Sequence, residues 1–449
     1  MRTLFLLVVL VLILLLTVAE PLRPTAAIEA PPVLGPATPI TVEAHDRGWG
    51  LASLEVRLQP AGGGAPLVLA QQTFPRRLGL GSGVGDAQLA VHATDAGTAP
   101  PEGPATLEVW ARDSSWLNLF RRRPTAVQAV AYDGTPPRLE VLSSQHRVEV
   151  GGSEALVYRV SEDAVESGVQ VGDVLFAGTH GYFADPNLRV ALFAVPQNEP
   201  TAVPTAFAVD AAGNRRTAAF DVRVYPKRFR EDTLELSDAF LQRKVPELLA
   251  ANDMPPGPDL LDGYLRINRD LRARTETKVR ELCDARTPHR FFEAGLVRLP
   301  NAAPLARFGD RRTYRYAGRD VDQQTHLGAD LASLQGAPVP AACAGTVTFA
   351  GPLGIYGNAV ILDHGLGLYT LYGHLRQIDV AAGAPVTRGQ QIGLTGETGL
   401  AGGDHLHFST MIGGVHVDPV EWWDGHWIHD HVLARLEPYP VAAGMVGPP

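Results

Sequence analysis

Nine of the 14 histidines of this 449-residue chain lie between His326 and His431. Neutral imidazole binds metal, and imidazole also titrates near neutral pH, so the cluster points to metal binding or acid–base work. Three units stand out. In His326-Leu327-Gly328-Ala329-Asp330 the four-residue gap puts both ligand-type side chains on one face of a helix, and equally on one face of a strand. Gly328 weakens the helix. Leu371-Tyr372-Gly373-His374-Leu375 follows the alternating stretch Leu368-Tyr369-Thr370. Asp404-His405-Leu406-His407-Phe408 runs on into Ser409-Thr410-Met411 and reads as a strand, whose alternation points His405 and His407 to one side. His326 and His407 stand 81 residues apart, so these units meet only across a sheet.

Two neutral imidazoles and one carboxylate make a three-ligand set. On zinc such a set leaves a fourth position open for water, the arrangement of a catalytic site. The set suits zinc best; spacing alone leaves iron and manganese open. The remaining histidines read differently. His364 belongs to a strand end and turn with a structural role, and His416 is expected on the surface. His426, His429 and His431, near Trp422, Trp423 and Trp427, imitate a metal cluster but match no carboxylate-plus-histidine pattern. They read as a capping tail over residues 426–449.

Several kinds of element must position these units. Over residues 28–134, Ile40–Ala44, Leu54–Leu58, Leu107–Ala111 and Ala126–Val130 alternate as strands do, between Gly- and Pro-rich turns. Residues 135–225 repeat the style in Leu139–Leu142, Val148–Val150, Leu156–Val160 and Phe220–Val224. Short strands at turn-marked spacing suggest two β-sandwiches. Tyr132–Pro137 reads as the junction, stiffened by paired prolines. Phe207–Asn214 resembles the strand-turn-strand signature of bacterial immunoglobulin-like domains. Residues 235–290 change to helical spacing. Ser237 is the expected N-cap of a helix carrying Phe240, Leu241, Val245, Leu248 and Leu249, and Pro246 leaves its continuity open. After Met254–Pro258 a second helix is expected from Asp259 to Leu282, giving a helical hairpin. It is either an arm packed on the last domain, or a gate or docking surface.

Composition bounds the function. Lys and Arg total 39 and Asp and Glu 48, a net charge of −9, which argues against nucleic acid as the main partner. Two cysteines, Cys283 and Cys343, exclude a disulfide framework or a cysteine-rich zinc finger. They form one disulfide or stay as two thiols. Met1-Arg2-Thr3 precedes an apolar run from Leu4 to Leu16, with small residues at Thr17 and Ala19. Residues 1–20 therefore read as a secretory signal peptide or an uncleaved membrane anchor, and either exports the rest.

The motifs resemble those of the lysostaphin-type (LytM-like) zinc metalloendopeptidases. The family's H-x-G-x-D stands here as His326–Asp330, its H-x-H as His405–His407, and its intervening histidine as His374. The stretches Tyr356–Gly365, Gly389–Gly393 and Thr395–Gly399 also fit. The resemblance covers residues 305–425, within a β-rich metallopeptidase domain expected over 300–425. It implies one zinc ion per chain held by His326, Asp330 and His407. His374 and His405 would orient a water, take its proton and stabilise the oxyanion. It implies hydrolysis of peptide bonds in bacterial peptidoglycan cross-links or stems, in the periplasm or cell envelope. The alternative in the same family is a non-catalytic regulator that recruits or activates another wall hydrolase. Members of that kind have lost ligands, whereas all five positions are filled here. An envelope protein partner, met through the β-sandwiches or the hairpin, is a further expectation.

Overall fold

The computed structural model describes residues 23–76, 81–113, 115 and 122–447. The expected export segment lies outside them. Among the described residues no helix is long and apolar enough to cross a membrane. The protein is mainly β.

The chain forms two compact units. The first holds the residues up to Pro137 together with residues 163–165 and 209–216. Its five-stranded sheet runs Val33–Leu34, Ala126–Tyr132, Gly103–Asp113, Leu51–Pro60, Leu67–Thr73, and a second sheet runs Thr25–Glu29, Ile40–His45, Asp86–Val91. Strand alternation turns Leu54, Val56, Leu107 and Val109 of one sheet and Ile40 and Val42 of the other into one core.

The second unit holds residues 138–162, 166–208 and 217–449. It opens with short strands, among them Leu139–Val141, Ser153–Val160 and Leu188–Ala194 in one antiparallel sheet. A helical arm follows. Ser237 caps α1 (Asp238–Ala251) by accepting from the Phe240 amide, and Leu241, Val245, Leu248 and Leu249 form its buried face. α1 continues through Pro246. Pro246 and Gln242, whose carbonyl loses its partner, are both exposed, so the freed carbonyl lies on the solvent side. Asp259 caps α2 (Leu260–Arg266), and a π turn over Ile267–Leu271 leads into α3 (Arg272–Leu282).

The histidine-rich region is built on β1 (Ala329–Ala332), β2 (Gly345–Pro352), β3 (Asn358–Asp363), β4 (Leu368–Gly373) and β5 (Leu406–Ile412). The sheet order is Ala303–Ala306, β1, β5, β4, β3, β2, Pro385–Val386, with Val415–Val417 paired to β5. β3, β4 and β5 are buried along nearly their whole length because both faces are covered. On one face Ile361, Tyr369, Leu371 and Met411 share a core with Leu249, Tyr264, Leu271 and Val279 of the arm. On the other, Phe408 stacks on Trp423 at 5.7 Å between ring centroids. Strand alternation puts His407 on the side of Met411, so the arm covers the face that carries the histidines.

The carboxy-terminal tail packs on the strands at the start of this unit. Glu421 accepts from the Ser153 amide (2.9 Å), Trp422 donates to Ser153 Oγ (3.0 Å), and His431 lies 3.0 Å from Glu154. His431 also stacks on Trp427 at 4.8 Å, while His429 pairs with Asp430 at 2.9 Å.

One expectation changes and one alternative is resolved. His416 is not on the surface: it is buried, with Nε2 3.0 Å from Glu276 Oε2. Its short strand faces α3, and a partner 140 residues away leaves no local signal in the sequence. Of the two alternatives for the cysteines, the structure has the thiols: Cys283 and Cys343 are both free and buried.

Candidate metal centre

Sheet register brings the ligand-type residues together. Asp330 on β1 stands directly opposite His407 on β5, and His407 stands opposite Gly373, the last residue of β4. His326 precedes β1 in a loop tied down at both backbone groups. Its amide donates to Asp310 O (2.9 Å), and its carbonyl accepts from Gly309 (2.8 Å). Gly328 is required by close approach: a Cβ there would meet His407 Nε2 at 2.6 Å and Phe408 O at 2.6 Å.

One ligand atom from each of His326, Asp330 and His407 lies within 4.8 Å of the others. His326 Nε2 is 2.9 Å from Asp330 Oδ1 and 3.1 Å from His407 Nδ1, and His407 Nδ1 is 3.0 Å from Asp330 Oδ1. Their outer partners fix the tautomers. His326 Nδ1 faces Arg307 O at 2.9 Å, and a carbonyl can only accept, so Nδ1 carries the proton. Ser409 donates its hydroxyl to Leu327 O (2.8 Å), so the His407 Nε2 that faces Ser409 Oγ at 2.9 Å is the donor. Both inward nitrogens are therefore lone pairs, and they meet a carboxylate oxygen with no proton between them. Such a donor set repels itself and fits a cation. Tetrahedral zinc bonds of about 2.0–2.1 Å would put ligand atoms about 3.3 Å apart, close to the spacing seen.

His374 and His405 face the same space. Their ring centroids are 4.8 Å apart, and that of His374 is 5.9 Å from that of His407. His374 Nδ1 donates to Thr398 O (2.8 Å) and His405 Nδ1 to Gly403 O (2.8 Å). Each imidazole thus keeps Nε2 free, and that of His405 lies 3.6 Å from Asp330 Oδ1. His374 sits just past β4 at φ 64°, a strained conformation for a non-glycine residue that its amide bond to Tyr356 O (2.7 Å) holds in place.

Electrostatics follow the packing. Burial pushes the Asp330 carboxyl up, but the surrounding His326, His405 and His407 outweigh it and hold the group well below the usual carboxylate range. Burial pushes His407 down to about 4 against the pull of Asp330. Burial, with His405 and His407 beside it, holds His374 well below the ordinary imidazole value. His405 is lowered by burial but raised overall by Asp330. His364 lies apart, buried between Ala344 O and Thr370 Oγ1 at 2.7 Å each, in the structural role expected of it.

The structure brings together all five residues singled out by the motifs, in the lining of a cavity of about 700 Å³ that α1, α2, α3 and the strand Glu231–Glu235 also line. It also adds residues that the motifs did not show. Arg312 donates to Asp330 Oδ2 (2.9 Å), leaving Oδ1 for the cluster. Tyr356 lays its ring 5.0 Å from that of His407 and donates to Glu276 of α3 (2.8 Å). Tyr356 stood within a stretch noted in the sequence. Arg312 and Glu276 carried no local signal.

Comparison with known proteins places this region. The chain is 46% identical over 95 residues to the DD-carboxypeptidase/endopeptidase Mpg of Neisseria meningitidis, which is 21% of this chain and 22% of that protein. It is 40% identical over 89 residues to the peptidoglycan DD-endopeptidase ShyA of Vibrio cholerae, 20% of this chain and 21% of that protein. The match thus spans about a fifth of these relatives' length. The catalytic domain of lysostaphin from Staphylococcus simulans is 29% identical, with a TM-score of 0.25, over 28% of this chain and 94% of that one. The family model described as Peptidase family M23 matches residues 324–419. With its His-Asp-His cluster on the central sheet, that segment is a peptidase family M23 domain.

Proposed function

We propose that this chain is a zinc metalloendopeptidase that hydrolyses peptide bonds in bacterial peptidoglycan. The observation that carries the reading is the set of inward lone pairs from His326, Asp330 and His407, opening on a cavity that two further imidazoles face. Zinc held there would supply Lewis-acid chemistry and a water whose pKa falls to about 7. His405 Nε2 is placed to take the proton of the attacking water and pass it to the leaving amine. His374, neutral with its proton on Nδ1, would accept at Nε2 from the attacking water and orient it, and His405, once it holds the water's proton, would donate to the oxyanion that develops on the substrate carbonyl. The arm narrows access to the site and keeps bulk water from the reacting amide. The relatives named above are a DD-carboxypeptidase/endopeptidase and a peptidoglycan DD-endopeptidase, which supports the substrate class and an envelope location. The strand-rich segments before the arm then act as spacers, and residues 1–20 as the export signal or anchor.

The test is metal content with turnover. Purified protein should hold close to one zinc per chain, and His326→Ala or Asp330→Ala should lose it. Isolated wall should release peptide fragments whose masses identify the bond cut. Wall left intact by zinc-loaded protein would reject the enzyme in favour of a regulator.

A further inference from the structure

The cavity over the metal cluster holds a cation that the proposed chemistry does not use. Three arginines line it: Arg243, Arg272 and Arg312. Arg312 is spent on Asp330, at 2.9 Å. Arg243 is half exposed and lies 3.6 Å from Glu397. Arg272, at the start of α3, forms no ion pair among the described residues. Glu276, one turn further along, has both oxygens engaged, by Tyr356 and by His416.

Arg272 is nevertheless held in place. Its Nε donates to Asn268 O (3.2 Å) and its Nη2 to Asn268 Oδ1 (2.7 Å). Asn268 is fully buried and donates in turn to Asp322 (2.8 Å). It sits in the π turn of the arm, a local widening that often marks functional sites. Asn268 thus aims the guanidinium through two neutral acceptors, the Glu276 carboxylate acts on it only through space, and Nη1 has no hydrogen-bond partner among the described residues. A fixed guanidinium with an open nitrogen, in a cleft beside the proposed amide-cleaving centre, matches a carboxylate.

We infer that Arg272 binds a free carboxylate of the peptide substrate, so that the site favours peptides carrying that charge near the cleaved amide. This rests on the hydrolase reading for the substrate class, but the contact itself can be tested without turnover.

The experiment measures binding of N-acetyl-D-alanyl-D-alanine and of its carboxy-terminal amide to the full chain, zinc-loaded and metal-depleted. A second acid–amide pair, with the acid on the side chain of the residue before the amide, separates terminal from side-chain carboxylates. Wild type should bind the acid of at least one pair about tenfold more tightly than its amide, as one charge-assisted contact supplies. Arg272→Gln should abolish the difference, leaving amide affinity and zinc content unchanged. Arg272→Lys, which keeps the charge but not the fork, should reduce the preference, and it decides the matter if the Gln variant does not fold. Equal or undetectable binding of acid and amide by wild type, or a preference that survives in the variants, would overturn the inference. Acid preference without wall cleavage would reject the hydrolase reading alone; cleavage without acid preference would reject only the role of Arg272.

Discussion

Tyr356 donates its hydroxyl to Glu276 across 2.8 Å, and so links the helical arm to a residue whose ring packs on His407. Glu276 lies outside the segment matched to the family, yet it is part of the scaffold around the metal cluster. The arm is therefore not a detachable cover. It shares a core with β3, β4 and β5, and it sends one half-buried carboxylate to Tyr356 in the wall of the site.

Loss of that carboxylate should be costly. Burial pushes Glu276 up, but His416 and Tyr356 outweigh it and hold the group at about 2. A folded value below the unfolded one gives stability that is present above about pH 4.5 and lost as pH falls toward 2. Glu276→Ala should lower unfolding free energy at neutral pH by ~3 kcal/mol, because the Tyr356 hydroxyl and His416 are left without their partner. Urea denaturation measures it. An unchanged midpoint would mean that the network contributes nothing.

Arg312 divides the labour of the Asp330 carboxylate, taking Oδ2 while Oδ1 faces the histidines. Arg312→Leu should weaken zinc affinity by roughly 10–100-fold, the usual effect of removing a group that orients a metal ligand. Competition with a fluorescent chelator gives the constant. Equal affinity in variant and wild type would show that the sheet alone orients Asp330.

The site was far more legible in the sequence than its surroundings. Asp330, His405 and His407 are on or beside strands whose period of two fixes the facing of their side chains, so short motifs report the geometry directly. The same holds for strands such as Leu54–Leu58, where one buried face leaves an alternating pattern. Arg312, Glu276 and His416 were not legible because their partners are 18 or more residues distant and belong to other elements. The continuity of α1 through Pro246 depends on which face is wet, which only the packed arm decides. The immunoglobulin-like character expected of the amino-terminal strands is a matter of topology, and strand patterning alone does not supply it.

Removing the metal should separate ligands from acid–base groups. With three buried ligand atoms fixed by outer hydrogen bonds, zinc held there would bind the folded state and little else, so a chelator should lower the melting temperature of wild type. His405→Ala should keep both the zinc and its stabilisation while losing about 10²–10⁴-fold in turnover. Calorimetry with and without chelator, beside peptide release, reads both. A His405→Ala protein that no longer responds to chelator would make His405 a ligand instead.

Glu421 gives the tail a pH dependence of opposite sign to that of Glu276. Burial raises its carboxyl to about 8, with Asp418 adding to the shift and the hydrogen bonds from Ser153 and the charge of Lys227 opposing it. The folded protein therefore holds this proton more tightly than the unfolded chain, whose carboxyl titrates near 4.5. Stability from this group is complete below about pH 4.5 and is lost as pH rises through about 8. Glutamine resembles the protonated acid and can still accept from the Ser153 amide, now 2.9 Å from Glu421. Glu421→Gln should match wild type at pH 5 and exceed it at pH 8.5, so the difference in melting temperature grows steadily across that window. The comparison cancels other groups that titrate there, including the histidines. A constant difference between the two proteins would show that Glu421 is ionised in the fold and that the tail is held by Trp422 and His431 alone.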